Sequence, residues 1–432
     1  MGLRASPRQT LDGHGFLDVV GREEFLRLLA GFPPLGAEQA DLAAAAGRVL
    51  FADLPAPEDL PQTARACMDG YALRAADVFG AGETAPAYVD CVADLRIDWN
   101  GAGLRLEPGQ AARIPTGGSL PEGADAVAMV EHTGVLPGGP GTETVEIRRA
   151  VAPGENVMLP GEDVRRGETA LPAGRVLRAQ DVGLLAALGL TRVAVGRRPR
   201  VAILSTGDEL VPAGGAVEPG RIRDVNSHAL ACLAAEAGAE PFPLGIAPDD
   251  PRRLAEALAA ALPGCDALLM SGGSSLGARD HAVAAILAQT GAEILAHGVA
   301  MSPGKPTILA RVGDPDAPKA LLGLPGQVAS AQVVMAVLVK PFLRFLAGDP
   351  RALDGAPPPF AAELARNIAG RPGREDFIRV RLEPRAGRPP LAHPVPGKSG
   401  LLRTLLAADG LIAVPAEAEG LYQGAIRPVW PL

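Results

Sequence analysis

Between residues 197 and 350 the sequence alternates short, wholly apolar runs with helical repeats, and this alternation narrows the possible folds more than any other feature. Val201-Ala202-Ile203-Leu204 and Ala267-Leu268-Leu269-Met270 contain no polar residue, which is the pattern of strands covered on both faces of a parallel sheet. A helix is expected over residues 227–237, stopped by Gly238, and a strand over 243–246. Asp250-Pro251 supplies an N-cap and a first-turn proline to a helix whose Leu254, Leu258 and Leu262 recur every four residues. Strands at 307–310 and 320–323 precede a long helix running through Phe345. Strand and helix in alternation imply a doubly wound α/β domain.

The flanking regions follow other rules. Residues 1–20 read as a loose tail, without an apolar signal core through Arg22. Residues 21–30 and 37–49 have helical periodicity, and another helix is expected at 179–188. From 54 to 151 short apolar stretches at 111–114, 126–130 and 145–147 alternate with Gly/Pro turns, the mark of a small β-rich domain. The chain holds 53 Gly and 42 Pro, consistent with many turns. A Pro-rich linker at 354–359 leads to a second set of short strands ending the chain. The most apolar run, Val328 to Val339, ends at Lys340 and is too short to span a bilayer.

Charge and cysteine content exclude several classes. A net charge of -8 argues against a broad nucleic-acid surface. The four Cys, at 67, 91, 232 and 265, have neither clasp spacing nor the density of a disulfide framework, and the six His are scattered. A reducing, cytoplasmic setting is expected. Cys67 has no visible base and reads as a small buried thiol.

Ligands of open α/β sheets bind at the carboxyl ends of the strands. Four loops there carry the chemistry: Ser205-Thr206-Gly207-Asp208-Glu209; Ser271-Gly272-Gly273-Ser274-Ser275, with Asp280 nearby; Ser302-Pro303-Gly304-Lys305-Pro306; and Leu324-Pro325-Gly326-Gln327. Glycines and hydroxyls let backbone N–H groups approach an anion, helix N-termini add partial positive charge, and Lys305 adds a point charge. Glu209, Asp224, Asp250 and Asp280 are oxygen donors of the kind Mg²⁺ takes. Each element also has a plain reading: a tight turn at Ser271–Ser275, a solvated Lys305, helix or turn caps at Asp208, Glu209 and Asp250. Their coincidence suggests a phosphorylated, nucleotide-like ligand, although neither a P-loop nor a dinucleotide fingerprint is present. A second constellation, Met68-Asp69-Gly70-Tyr71-Ala72 with Pro115-Thr116-Gly117-Gly118, lies in the β-rich region and by spacing alone is a pair of loops.

In order along the chain, these motifs resemble the molybdopterin molybdenumtransferase family, the MoeA proteins and the gephyrin E domain. To those above are added Leu120-Pro121-Glu122-Gly123-Ala124-Asp125, Asn156 with Gly161-Glu162-Asp163, Asp224-Val225-Asn226, Gly397-Lys398-Ser399-Gly400 and Asp409-Gly410-Leu411-Ile412. The resemblance implies a multidomain α/β plus β fold. Its parts are a discontinuous helical linker domain (21–53 and 152–196), a β-rich domain (54–151), a central doubly wound α/β molybdopterin-binding domain (197–350) and a C-terminal β-barrel (351–432). It implies insertion of molybdate into adenylylated molybdopterin with release of AMP, with Mg²⁺, in a homodimer with a shared cleft. Contacts with the preceding adenylyltransferase and with recipient molybdoenzymes are implied too; a membrane or nucleic-acid partner is not.

By position the resemblance gives catalytic roles to Asp69, Thr116, Glu209, Asp280 and Lys305. Substrate binding falls to Asp224, Asn226, Asp250, Ser271, Gly272, Gly273, Ser274, Pro303, Pro325 and Ser330. Glu209, Asp224, Asp250 and Asp280 form the Mg²⁺ set. Departures concentrate on the oxyanion pocket. Thr63-Ala64-Arg65-Ala66-Cys67 stands where the family usually has Phe-Asp-Asn-Ser-Ala, Ser302 where it often has Lys, and Gln327-Val328 where it has Asn-Pro. Arg65 and Arg279 are candidates to compensate the missing lysine. The alternatives are a pterin carrier that inserts no metal, a tungsten-selective insertase, and the adenylyltransferase of the preceding step, against which the flanking β domains argue.

Overall fold

The computed structural model describes residues 19–137, 143–272, 291–314, 316–358 and 360–432. The chain forms two compact units. The larger comprises the described residues up to Phe51 together with Gly174–Leu177 and Val193–Leu432, and it contains helix α1 (Arg22–Leu29). The smaller comprises Ala52–Ala173 and Arg178–Arg192.

The smaller unit is built on a curled six-stranded sheet. Its strands are β1 (Gly70–Leu73), β2 (Ala87–Asp94), β3 (Gln110–Ile114), β4 (Ala126–Met129), β5 (Thr133–Pro137) and β6 (Glu143–Ile147), in spatial order β4-β1-β3-β2-β6-β5. Both faces of the sheet are covered. Tyr71, Leu73, Val89, Ala111 and Val145 form one core, and Ala72, Ala112, Ile114 and Val127 another. Alternate residues of β1 thus enter different cores, as the two-residue period of a strand demands. Gly70 is required at the head of β1, because a Cβ there would lie 2.0 Å from the Ala128 carbonyl oxygen. Helix α2 (Ala179–Ala187) lies one residue short of the expected end, and a satellite core of Ala56, Val164 and Leu188 adjoins it.

The larger unit is centred on a six-stranded mixed sheet. Its strands are β7 (Arg200–Thr206), β8 (Glu240–Ala247), β9 (Ala267–Ser271), β10 (Glu293–His297), β11 (Ile308–Val312) and β12 (Lys319–Leu324), in spatial order β8-β7-β9-β12-β11-β10. The apolar runs at 201–204 and 267–270 are the adjacent parallel strands β7 and β9. Val201, Ile203, Leu269 and Leu322 face a core shared with helices α3 (Asn226–Glu236) and α5 (Val328–Leu346). Ala202, Leu204, Leu268 and Leu321 face the other core, against Leu254 and Leu258 of α4 (Pro251–Ala261). Each fully buried leucine contributes about 1.5–3 kcal/mol relative to exposure, so the absence of polar residues from these strands follows from burial on both faces.

One reading of the sequence is corrected. Residues 37–49 are not one helix: Ala37–Asp41 is a strand paired with Arg192–Gly196, and only Leu42–Ala45 is helical. Tertiary pairing outweighs a weak helical preference there. The sheet is not uniformly parallel, because β11 runs antiparallel to both β12 and β10. The long helix expected through Phe345 is α5, which runs past Lys340 to Leu346 with a π turn at Met335–Val339, and among the described residues it is the helix long and apolar enough to cross a membrane by composition. Val333, Leu338, Phe342 and Leu343 are fully buried in the core. The π turn ends two residues before Pro341, whose ring would strike the carbonyl four residues back in a regular α-helix.

The C-terminal strands form a barrel-like sheet in the order 426–428, 361–364, 391–394, 375–383, 410–414, 430–431, around Leu364, Val380, Ile412 and Val414. Met301–Ser302 adds to it by pairing with Glu375–Asp376, so the segment leading into β11 is also an edge of this sheet.

Candidate functional site

The register of the larger sheet brings the expected loops together. Thr206 pairs with Ala247, Ser205 with Ser271, and Ser271 with Leu324, so β7, β8, β9 and β12 end side by side. Ile308 pairs with Gly323, which sets the start of the antiparallel β11 beside the end of β12. The Ser302–Pro306 loop precedes a strand whereas the others follow one. Only the reversed direction of β11 places it at the same edge.

Polar side chains lock these strand ends to one another. Asn226, at the start of α3, donates through Nδ2 to Ser271 Oγ at 2.7 Å and to the Gly326 carbonyl at 2.8 Å, joining the β9 and β12 loops. Among the described residues its Oδ1 is buried without a partner, an acceptor open to an incoming donor. Buried acceptors are normally satisfied, so this atom fits a site completed by a ligand. Gly272 has φ +102°, its N–H donates to the Leu324 carbonyl at 3.3 Å, and a Cβ there would lie 2.2 Å from the Thr206 oxygen. The close approach of β7 and β9 at this point therefore depends on glycine. Pro325 and Ser330 are buried beside these loops.

Lys305 is exposed, and among the described residues its ammonium makes no hydrogen bond or ion pair. Its backbone is fixed, because its carbonyl accepts from Val299 N–H and Thr307 N–H, both at 2.9 Å. Gly304, at φ +121°, would drive a Cβ to 2.7 Å from Val334. The result is a mobile cation on a rigid base, preceded by the half-buried Pro303. The Ser399 carbonyl accepts from Ala329 N–H at 2.9 Å, which brings the Gly397–Gly400 motif against the first turn of α5. Arg379, not singled out from the sequence, holds that motif by donating to the Gly397 carbonyl at 2.6 Å. Among the described residues its Nε and Nη1 are buried without partners, and burial pulls its pKa down.

Of the acidic set, Glu209, Asp224 and Asp250 fall within the described residues, and each is engaged locally. Asp224 is buried, and its Oδ1 accepts from Ser205 Oγ at 3.0 Å and Ser227 N–H at 3.1 Å, capping α3. Asp250 caps α4 by accepting from Arg253 N–H at 2.9 Å, the plain reading of Asp250-Pro251. Glu209 is exposed, its carboxylate folded back over Gly207. Asp249, not singled out beforehand, accepts from Thr206 Oγ1 at 2.6 Å and donates its N–H to Asp208 Oδ1 at 3.1 Å, tying the β7 and β8 loops. Among the described residues no three His, Cys, Asp or Glu side chains converge into a metal cage. Gly273, Ser274 and Asp280, with Ser275 and Arg279, lie outside the described residues.

The second constellation assembles within the smaller unit. Asp69 and Thr116 are exposed, and Thr116 donates both its N–H (2.6 Å) and its hydroxyl (2.8 Å) to Asp69 Oδ1. These two bonds, the backbone one foremost, hold the Asp69 carboxyl below the usual aspartate range. The Asp69 carbonyl accepts from Val130 N–H, and Gly117 takes φ +83° in the turn. Cys67 is half-buried rather than buried, and its N–H donates to the Asn156 carbonyl at 2.8 Å.

Comparisons with known proteins cover nearly the whole chain. Residues 21–189 match the model of the MoeA N-terminal region (domain I and II), 202–344 that of the probable molybdopterin binding domain, and 361–432 that of the MoeA C-terminal region (domain IV). A molybdopterin molybdenumtransferase of Nostoc sp. is 40% identical over 311 residues, 72% of this chain and 70% of the relative. Molybdopterin molybdenumtransferase 2 of Mycobacterium tuberculosis is 34% identical over 406 residues, 90% of this chain and 94% of the relative. The crystal structure of a molybdopterin biosynthesis MoeA protein from Pyrococcus horikoshii superimposes with a TM-score of 0.80 at 30% identity, covering 96% of this chain and 100% of that one. With its loops gathered at one sheet edge and its length matched from end to end, the chain belongs to the MoeA family of molybdopterin molybdenumtransferases.

Proposed function

We propose that this chain is a molybdopterin molybdenumtransferase, an enzyme of molybdenum cofactor biosynthesis that inserts molybdenum into adenylylated molybdopterin and releases AMP. The observation that carries the reading is the antiparallel β11, which puts the Lys305 loop at the same sheet edge as Ser271-Gly272 and Pro325-Gly326. A cation, glycine backbone and a buried unpaired acceptor at one edge suit an anionic, phosphorylated ligand bearing hydrogen-bond donors. In this reading Lys305 draws in the phosphates. Gly272 allows the backbone to approach them, and Asn226 Oδ1 accepts from the substrate. Asp69 and Thr116 serve the insertion step as a carboxylate with an attached hydroxyl. Pro303, Pro325 and Ser330 shape the pocket.

The proposal extends to Mg²⁺ as an ion carried chiefly by substrate phosphates, the way this cation is usually bound, since the described carboxylates form no cage for it. It includes the four-part division at 21–53 with 152–196, 54–151, 197–350 and 351–432, a homodimer, and a cytoplasmic location. Contact with the preceding adenylyltransferase and with recipient molybdoenzymes belongs to it as well.

The test mixes purified protein with adenylylated molybdopterin, Mg²⁺ and molybdate, and follows AMP release together with metal-loaded cofactor. Coupled release and loading is expected. Tight pterin binding without AMP release would overturn the reading. A parallel tungstate titration assigns the metal.

A further inference from the structure

We propose that Arg65 is a positioning residue for the Asp69–Thr116 pair, holding the Pro115–Gly118 turn by a backbone carbonyl so that Thr116 keeps both donors on one carboxylate oxygen. The inference rests on the reading above that this pair serves the reaction.

Arg65 Nη1 donates to the Gly117 carbonyl at 2.9 Å, one residue beyond Thr116. The surrounding backbone fixes both ends of this contact. Arg65-Ala66 pairs with Val157-Met158 on one side and bridges to Ser119 on the other. Gly117 N–H donates to the Ala66 carbonyl at 2.7 Å, and Ala66 N–H to the Gly118 carbonyl at 2.9 Å. Three polar groups of this turn are thus pinned: the Thr116 N–H by Asp69, the Gly117 N–H by Ala66, and the Gly117 carbonyl by Arg65. Gly117 lies in the left-handed region, at φ +83°, and the peptide that follows it is held by Arg65 at its carbonyl and by Pro115 at the Gly118 N–H, at 2.9 Å, so Arg65 supplies one of its two anchors.

The choice of acceptor is the second observation. Arg65 lines a cavity of about 410 Å³ together with Glu58, Gln62, Met158 and Asp163. Two carboxylates share this cavity, yet the guanidinium bonds the neutral Gly117 carbonyl and no carboxylate among the described residues. The described side-chain bond of Arg65 thus serves the geometry of the turn. Loss of the donor should let the turn relax, and small misplacements of reacting groups have large kinetic costs.

The test uses the full chain with Arg65→Met, which keeps length without a donor, and Arg65→Lys, which restores one. The titration of the Asp69 carboxyl is followed by ¹³C NMR, and kcat and KM are measured for AMP release. We expect Arg65→Met to raise the Asp69 titration midpoint and to lower kcat by about tenfold, with KM changed by less than about twofold. Arg65→Lys should return both toward wild type. Should the methionine variant lose its fold, Arg65→Leu, which also lacks a donor, is read in the same way. An unchanged Asp69 titration and kcat in Arg65→Met, or no rescue by lysine, would sink the proposal. A wild-type protein that releases no AMP would count against the functional reading alone, because the Asp69 titration still decides the role of Arg65.

Discussion

Thr116 gives its backbone N–H and its hydroxyl to the same atom, Asp69 Oδ1, at 2.6 and 2.8 Å. The arrangement favours the charged carboxylate, and the backbone bond is the larger cause. A depressed carboxyl pKa confers a benefit that is full above the unfolded value and lost as pH falls through the folded one. Thr116→Val removes one donor and keeps the other. The Asp69 titration should move up but remain below that of a free aspartate, and the acid limb of the activity profile should shift to higher pH with it. A ¹³C NMR titration beside a pH–rate profile checks both; an unmoved midpoint refutes the account.

Gly272 and Gly326 face each other at the ends of β9 and β12, but they tolerate a methyl group differently. At Gly272 a Cβ would lie 2.2 Å from a backbone oxygen at φ +102°, whereas at Gly326 its nearest neighbour is 3.6 Å away. Gly272→Ala should cost about 2 kcal/mol or more and weaken substrate binding. Gly326→Ala should cost less than about 1 kcal/mol. Denaturant unfolding of the two variants side by side decides the matter, and equal costs would contradict it.

Asp224 and Asp250 both cap helices, one buried and one exposed. Asp250→Ala should lose about 1 kcal/mol, the usual worth of an exposed cap. Asp224→Ala leaves the Ser205 hydroxyl and the Ser227 N–H unsatisfied in the interior, and should lose about 2–3 kcal/mol. If capping is the whole role of Asp250, the Mg²⁺ concentration giving half-maximal AMP release will be the same in Asp250→Ala as in the wild type. A raised Mg²⁺ requirement would restore Asp250 as a metal ligand.

Lys305 has no partner to lose among the described residues, so Lys305→Ala should change stability by no more than about 0.5 kcal/mol. Its expected cost is in binding: roughly tenfold weaker affinity for adenylylated molybdopterin at low ionic strength, a gap that narrows as salt screens the charge. Calorimetric titrations at two salt concentrations test this. A salt-independent loss would point to a steric role instead.

The four thiols should differ in reactivity. Cys232 is exposed, whereas Cys265 is buried and burial pushes its thiol pKa up, leaving less thiolate at neutral pH. Timed alkylation with peptide mass mapping should find Cys232 modified first and Cys265 last.

The sequence by itself determined the elements of the α/β core. The apolar runs at 201–204 and 267–270 had to be buried strands, because no exposed face of a strand tolerates so many consecutive aliphatic residues, and Asp250-Pro251 had to open a helix by its local chemistry. The identity of the site loops was legible as well, since Gly, Ser and Lys cluster after or before those strands, and the ordered motifs carried the family. Strand direction was not legible. Nothing in the Thr307–Ala310 run marks β11 as antiparallel, yet that reversal is what brings Lys305 to the shared edge. Asp250 was legible as a cap, but the partners of the other acids were not. Asp224 is committed to Ser205 and Ser227, and Asp249 to Thr206, by contacts that exist only after strands distant in sequence lie side by side. The same holds for Arg65, whose single bond to Gly117 spans 52 positions. Local periodicity encodes burial because it repeats within one element. The pairing of polar side chains depends on register and direction between elements, and only the tertiary structure decides those.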